Sequence, residues 1–281
     1  MAYIFRGRLG GFICTQYPEA LANARVRLYR NRPEQSVTLL AVANPEDTSV
    51  ILTDKQVNEK ESFLLAETET NNDGVFVFEL GEKQNYRGEA FEVDVSCTTM
   101  PQQKIGPNLP PPRQFSITTL QPLWRQSDTG FLWVWDYCLP TRFWSTIRSL
   151  FGAHVICGHV TIHSTQEPVP YVIITAMDAN WFDDPLGAGM TNEVGIFRID
   201  YTHRSFLATL IPQLTSAQPD ASGPDVHFHI QLGTTTLLDE PKSRGKQPDR
   251  THVGSCFCVD LSVEAAGQIV PTSEHTSHGT R

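Results

Sequence analysis

One fragment occurs twice in this chain, about 120 residues apart. Thr70-Asn71-Asn72-Asp73-Gly74-Val75-Phe76-Val77-Phe78 returns as Thr191-Asn192-Glu193-Val194-Gly195-Ile196-Phe197-Arg198-Ile199. In each copy a polar turn ending in glycine launches a run with strand period two. A duplicated turn-and-strand narrows the fold to a mainly β protein made of two related β-sandwich modules in tandem. Modules of this kind more often hold and bind than catalyse.

The rest of the chain divides around that repeat. Its 281 residues suffice for two cores, and 19 glycines with 19 prolines supply the turns that many short strands need. The first module is expected over 1–139, a helical connector over 140–152, a second module over 153–264 and a polar tail over 265–281. Strands are expected at 10–14, 24–30, 36–43, 75–80, 91–95, 115–118 and 131–139. The second module starts its strands at 155–162, 171–176, 225–231 and 251–263, with a short helix at 205–213. Asp73-Gly74 is a hairpin-type turn signal, and the acidic residues Glu92 and Asp94 should face water. Thr53-Asp54-Lys55-Gln56 reads as a capping box, opening a helix with Val57, Phe63 and Leu64 as its buried stripe. Pro107 to Pro112 is stiff and extended, a rigid loop or a proline-rich ligand.

Phe131, Trp133, Trp135 and Tyr137 share one face of a strand, which either fills a core or makes a contact patch. After Pro140, the connector gathers Phe143, Trp144, Ile147, Leu150 and Phe151 on one side and closes at Gly152. That stripe must be covered, by a module or by a partner protein.

Net charge is −9, so a phosphate backbone is repelled on average and nucleic acid is a poor partner. No apolar run reaches the roughly 20 residues that span a bilayer. The N-terminal residues lack the pattern of a secretory signal, so synthesis in the cytoplasm is expected. Six cysteines (Cys14, Cys97, Cys138, Cys157, Cys256, Cys258) are scattered, and buried free thiols are the expected state.

Strand, Pro turn, strand, then Thr-x-x-x-Gly-x-Phe resembles the transthyretin-like and carboxypeptidase regulatory-like superfamily of prealbumin-like sandwiches. The carriers are Gly11, Ala24 to Leu28 and Asp73 to Phe76 in the first module. In the second they are Gly158, Pro170 to Ile174, Gly195 to Phe197 and Gly223 to Phe228. The resemblance covers about half the chain and implies a Greek-key sandwich in each module, joined by the short helical connector.

That superfamily includes iron-dependent intradiol dioxygenases, with two Tyr and two His ligands. His227 and His229, on one strand face, with Tyr171 and Tyr201 upstream, are the residues such a site would use. Aligned on Pro224, His227 falls one position out of phase with that motif. The superfamily's hydroxyisourate hydrolases end in a Tyr-Arg-Gly-Ser-type terminus, which Thr280-Arg281 does not match. Cys256 and Cys258 with His252, and Cys157 with His159, are zinc candidates, but the spacing lacks a CxxC knuckle. Asp183-Asp184 reads as a solvated turn, and Gly187-Ala188-Gly189 follows no strand-to-helix entry. No Gly-x-Ser-x-Gly elbow or phosphate loop occurs.

Taken together, these features describe a non-catalytic structural or adaptor protein without a cofactor, whose partners are other protein subunits of a large assembly. Its expected contacts are Phe131, Trp133, Trp135, Tyr137, Phe143, Trp144, Ile147 and Phe151, buried aromatic anchors of an interface. A cap or accessory of a phage-tail-like contractile injection particle, released from the cell, is one such assembly. The alternatives are a metal-dependent enzyme of the dioxygenase type and a carbohydrate- or peptide-binding module.

Overall fold

The computed structural model describes residues 1–15, 17–31, 49–103, 111–128, 130–180, 185–202 and 223–264. The expected strand at 36–43, the helix at 205–213, Asp183-Asp184, most of the proline-rich stretch and the tail lie outside them. The chain divides into unit 1 (1–155, 200–223, 254–257) and unit 2 (156–199, 224–253, 258–281). The architecture is mainly β, as the alternation predicts.

In unit 1, β1 (Tyr3–Cys14), β2 (Tyr17–Ala20), β6 (Val75–Leu80), β9 (Arg125–Ser127) and β10 (Gly130–Leu139) form one sheet. β1 pairs with β10 in parallel and with β2 and β6 antiparallel. The other sheet runs β4 (Val50–Ile51), β8 (Arg113–Leu120), β7 (Phe91–Cys97), β3 (Arg25–Arg30), β5 (Leu64–Glu69). Helix α1 (Asp54–Glu61) lies between β4 and β5, and α2 (Thr141–Leu150) follows β10. The core includes Phe5, Leu9, Phe76, Val26, Leu28, Val93 and Phe115, all nearly without exposure.

Unit 2 repeats the plan. One sheet is β13 (Pro185–Met190), β12 (Ile173–Asp178), β15 (Val226–Leu232) and β16 (Thr235–Asp239), matching β5-β3-β7-β8 in order. The other is centred on β11 (Ala153–Ile162), flanked by β14 (Ile196–Thr202), β17 (Cys256–Cys258) and β18 (Leu261–Val263), and β18 runs parallel to β11 as β10 does to β1. A short helix, α3 (Lys242–Gly245), follows β16. Among the described residues, no helix is long and apolar enough to cross a membrane.

The repeated fragment is the corner where the chain passes from one sheet to the other, β5 to β6 and β13 to β14. It is not the hairpin that Asp73-Gly74 suggests, because the strands on either side of it belong to different sheets. Its two copies match bond for bond. Asn71 Oδ1 accepts the N–H groups of Asp73 and Val75 at 3.0 and 2.9 Å, and Asn192 Oδ1 accepts those of Val194 and Ile196 at 3.1 and 2.9 Å. Gly74 and Gly195 then adopt φ of 74° and 76°, the left-handed region that glycine enters without a Cβ penalty. Their carbonyls accept the N–H groups of Leu9 and Val160 at 2.9 and 2.8 Å, tying each corner to the central strand of the receiving sheet.

The threonine is buried in both copies. Thr70 Oγ1 accepts the Ala24 N–H at 2.9 Å while its hydroxyl donates to the Leu21 carbonyl at 2.6 Å. Thr191 Oγ1 accepts the Val172 N–H at 2.9 Å. Two residues after each turn glycine, Phe76 and Phe197 pack on the backbones of Gly7 and Gly158, where a Cβ would find no room. The structural counterpart of Gly158 is therefore Gly7, not the Gly11 that the family resemblance sets beside it.

A buried N–H left without its acceptor costs about 1–3 kcal/mol. Thr70→Val and Thr191→Val, equal in volume, should each lower unfolding stability by about that amount in urea titrations. A loss below about 0.5 kcal/mol, the usual surface effect, would show that the corner is held by something else.

Candidate functional site

The most chemically loaded surface of unit 1 is the outer face of the sheet β4-β8-β7-β3-β5. Period two should place the odd residues of β3 and the even residues of β7 in water. Instead Tyr29 and Asp94 have no exposure, and Gln114 is buried beside them. The reason is α1. The Thr53 capping box forms as its sequence predicts, but Val57, Phe63 and Leu64 do not make the buried stripe: Phe63 is exposed, the other two are half-buried, and Leu64 begins β5. The one buried residue of the helix is Lys60. A very polar helix therefore docks on the sheet through charge.

Lys60 Nζ lies 2.8 and 2.7 Å from the two carboxylate oxygens of Asp94 and 2.9 Å from Glu92 Oε2. It also sits 4.6 Å from the centre of the Tyr29 ring, a cation–π contact. Gln114 Nε2 donates to Asp94 at 2.8 Å and to the Tyr29 hydroxyl at 3.0 Å. Arg27 donates to Gln114 Oε1 at 3.1 Å, to both Glu61 oxygens at 2.8 and 3.0 Å and to Glu67 at 3.2 Å. Burial pushes the Asp94 carboxyl above its ordinary range, opposed by Lys60 and Gln114. Burial likewise raises the Tyr29 phenol. The expectation that Asp94 faces water fails because a helix carrying its counter-ion covers it.

Beside this cluster a cleft of about 880 Å³ opens between α1 and the sheet. Among the described residues it is lined by Arg25, Arg27, Ser96, Arg113 and Gln114 of the sheet, by Thr53, Asp54, Val57 and Asn58 of the helix and its cap, and by Ile51, Leu52, Pro111 and Pro112.

The aromatic face of β10 turns inward. Phe131 stacks on Tyr3 and Trp133 on Phe5, both with centroids 5.1 Å apart, and Trp135 stacks on Tyr137 at 5.3 Å. All four are half-buried, at the rim of the core. Helix α2 lies within unit 1, and Trp144, Ile147 and Phe151 have no exposure. Those three are core residues, unavailable as anchors for another protein, while Phe143 stays half-buried against Phe115. The indole of Trp144 lies on the Gly11 backbone, and its Nε1 donates to Glu19 at 2.7 Å. Arg148, fully buried on the same helix, pairs with Glu19 at 2.5 Å. Glu19 has no sequence signal that marks it for burial; only the helix landing beside it explains it.

In unit 2, His227 Nδ1 is 3.0 Å from the Glu240 carbonyl oxygen, and His229 Nδ1 is 3.2 Å from Asp239 Oδ1. Tyr171 is exposed and Tyr201 buried. Cys14 and Cys258 are disulfide-bonded, which corrects the free-thiol expectation for both and removes Cys258 as a zinc thiolate. Cys97, Cys138, Cys157 and Cys256 stay outside the disulfide, and only Cys97 and Cys157 of these are buried. Among the described residues, no group of three or more His, Cys, Asp or Glu side chains is arranged to hold a metal ion.

No family model and no curated protein matches the sequence. Loose structural similarity extends to the shaft pilin SpaA of Lactobacillus rhamnosus GG, at 9% identity over 96% of this chain and 100% of that one, with a TM-score of 0.28. The minor pilin GBS52 of Streptococcus agalactiae matches at 9% identity over 93% and 94%, TM-score 0.26. The Bacillus anthracis TIE protein matches at 9% over 94% of this chain and 34% of its own, TM-score 0.25. Superpositions this loose transfer no site and no activity.

Removing one member of a buried ion pair strands the other and costs about 3–5 kcal/mol. Lys60→Met should lose that much in urea unfolding, and adding Asp94→Leu should recover most of it. Without Lys60, the Asp94 carboxyl in the folded state rises further above its unfolded value. The Lys60→Met penalty should therefore be smaller at pH 5 than at pH 8, since a raised acid favours the fold only while protonated. A pH-independent penalty would show that Lys60 acts through packing alone.

Proposed function

We propose that this chain is a non-catalytic structural or adaptor component that presents two β-sandwich modules to other proteins of a multi-subunit assembly. One observation carries the reading. The outer face of β6-β1-β10 is an open sheet surface with an apolar centre: Val77 is 46% exposed, Val134 54% and Leu132 37%. Register sets Arg6 between Val77 and Val134, Ile4 between Glu79 and Leu132, and Arg8 between Val75 and Asp136. Exposed apolar centres rimmed by charge mark protein contacts. This surface lies opposite the aromatic face singled out from the sequence, because those aromatics serve the core.

The transthyretin-like resemblance supports the same reading through the duplicated corner. The finer form we propose is a cap or accessory of a phage-tail-like contractile injection particle; its support is the tandem modular build. Release in such a particle would take the disulfide-bonded Cys14 and Cys258 from the cytoplasm to an oxidising medium, where disulfides persist.

Val77→Glu with Val134→Glu changes exposed positions and should leave the unfolding midpoint nearly unchanged. By native mass measurement, the wild-type chain should recover from its source in a complex heavier than the monomer and the variant as the monomer. A wild-type chain that is monomeric in its source extract would sink the proposal.

A further inference from the structure

We infer that the open edge of β10, from Trp133 to Leu139, takes an extended segment of a partner protein as an added antiparallel strand, with apolar residues beside Trp133 and Trp135 and a basic residue beside Asp136. The inference rests on the reading that this chain holds other proteins, and it says how one of them is held.

Backbone direction comes first. In a strand, successive residues turn their N–H and C=O groups to opposite sides. Phe131 donates its N–H to the Ala2 carbonyl at 2.9 Å, so the odd-numbered residues of β10 bond towards β1 and the even-numbered ones face away from it. β9 meets that far side only from Gly130 to Leu132. Past it, the peptide groups of Val134, Asp136 and Cys138 have no hydrogen-bond partner among the described residues.

Sheet edges are usually blunted against such pairing. β5, β13 and β16 each carry a bulge, at Leu65, Leu186 and Leu237, which twists an edge away. β2 carries Pro18. β6 is regular, but Asn71 occupies both backbone groups of Val75 at its start. β10 has none of these devices. It holds register with β1 without a shift from Tyr3–Phe131 to Gly11–Leu139, it contains no proline, and Val134 stands 54% exposed on it.

The side chains along the edge select the occupant. Trp133, Trp135 and Tyr137 lie on the core side yet stay half-buried, because among the described residues no strand flanks them beyond β10. Side chains of an added strand would stand beside them at about 5 Å, which favours apolar residues at alternate positions. On the other face the charged residue of this stretch is Asp136, which is exposed. A second copy of this chain fits badly. The two-fold register that pairs all three peptide groups sets Asp136 opposite Asp136 of the copy, and like charges directly opposite destabilise a sheet. A lysine there makes the opposite-charge pair.

The probe is a fluorescein-labelled Thr-Val-Lys-Val-Thr-Val amide, titrated by anisotropy against the full chain. In the inferred register its Thr and Lys backbone N–H groups meet Cys138, Asp136 and Val134, and its Val N–H groups face away. Methylating the backbone nitrogen of the lysine should cost about ten-fold in affinity, as for one hydrogen bond left unmade. Methylating that of the valine after it should cost little. Asp136→Lys should weaken the peptide several-fold and bind a Thr-Val-Glu-Val-Thr-Val analogue better than the wild type does; Asp136 is exposed, so an unchanged thermal midpoint checks folding. No binding up to millimolar concentration, equal loss from the two methylations, or affinity untouched by Asp136→Lys would each overturn the inference. So would dimerisation of the purified chain that Val134→Pro abolishes, which would make a second copy the occupant. Val77→Glu alone, on β6, should keep wild-type peptide affinity. A chain that binds the peptide but is monomeric in its source extract would sink the assembly reading and not the strand site, and a heavy complex without peptide binding would do the reverse.

Discussion

Each module depends on one corner, where the chain leaves one sheet and enters the other. An asparagine folds its side chain over the turn, a glycine takes the left-handed conformation, and a buried threonine joins the corner to the strand before it. The glycine carbonyl then sets the register of the incoming strand against β1 or β11. Because strand period is two, that register decides which side chains enter the core. In that register Phe76 and Phe197 pack on Gly7 and Gly158.

Charge inside unit 1 is organised around two helices. Lys60 enters from α1 to meet Asp94, and Arg148 enters from α2 to meet Glu19. Buried pairs are often no gain over apolar packing of the same volume, given the desolvation of both ions. What they supply is orientation, since a charge in the wrong place would be buried unpaired. Docking α1 through Lys60 also holds the helix above the sheet and leaves the arginine cleft beside it.

Local features were read well where the chemistry is local. The Thr53 capping box, the alternation of Val75 to Leu80 and the strand carrying Trp133 and Trp135 all form where their residues indicate. Sequence pattern and structure part where a distant segment changes an environment. Asp94 alternates like a solvent-facing residue, and Phe63 and Leu64 follow α1 closely enough to look helical. The stripe of α2 looks like an interface because sequence shows that it must be covered without showing by what. Unit 1 itself covers it, with Glu19 satisfying the indole and the guanidinium.

Turn chemistry and period therefore carried the β class and the duplication, since both act over a few neighbouring residues. Tertiary structure decided that the repeated turn is a sheet-to-sheet corner, that Gly7 is the partner of Gly158, and that the aromatics of β10 look inward. It also decided that Val77, Leu132 and Val134 stand exposed on the outer face of β6-β1-β10 and that a cleft opens beside α1. Those outcomes rest on pairings between residues tens of positions apart, and composition and spacing along the chain do not contain them.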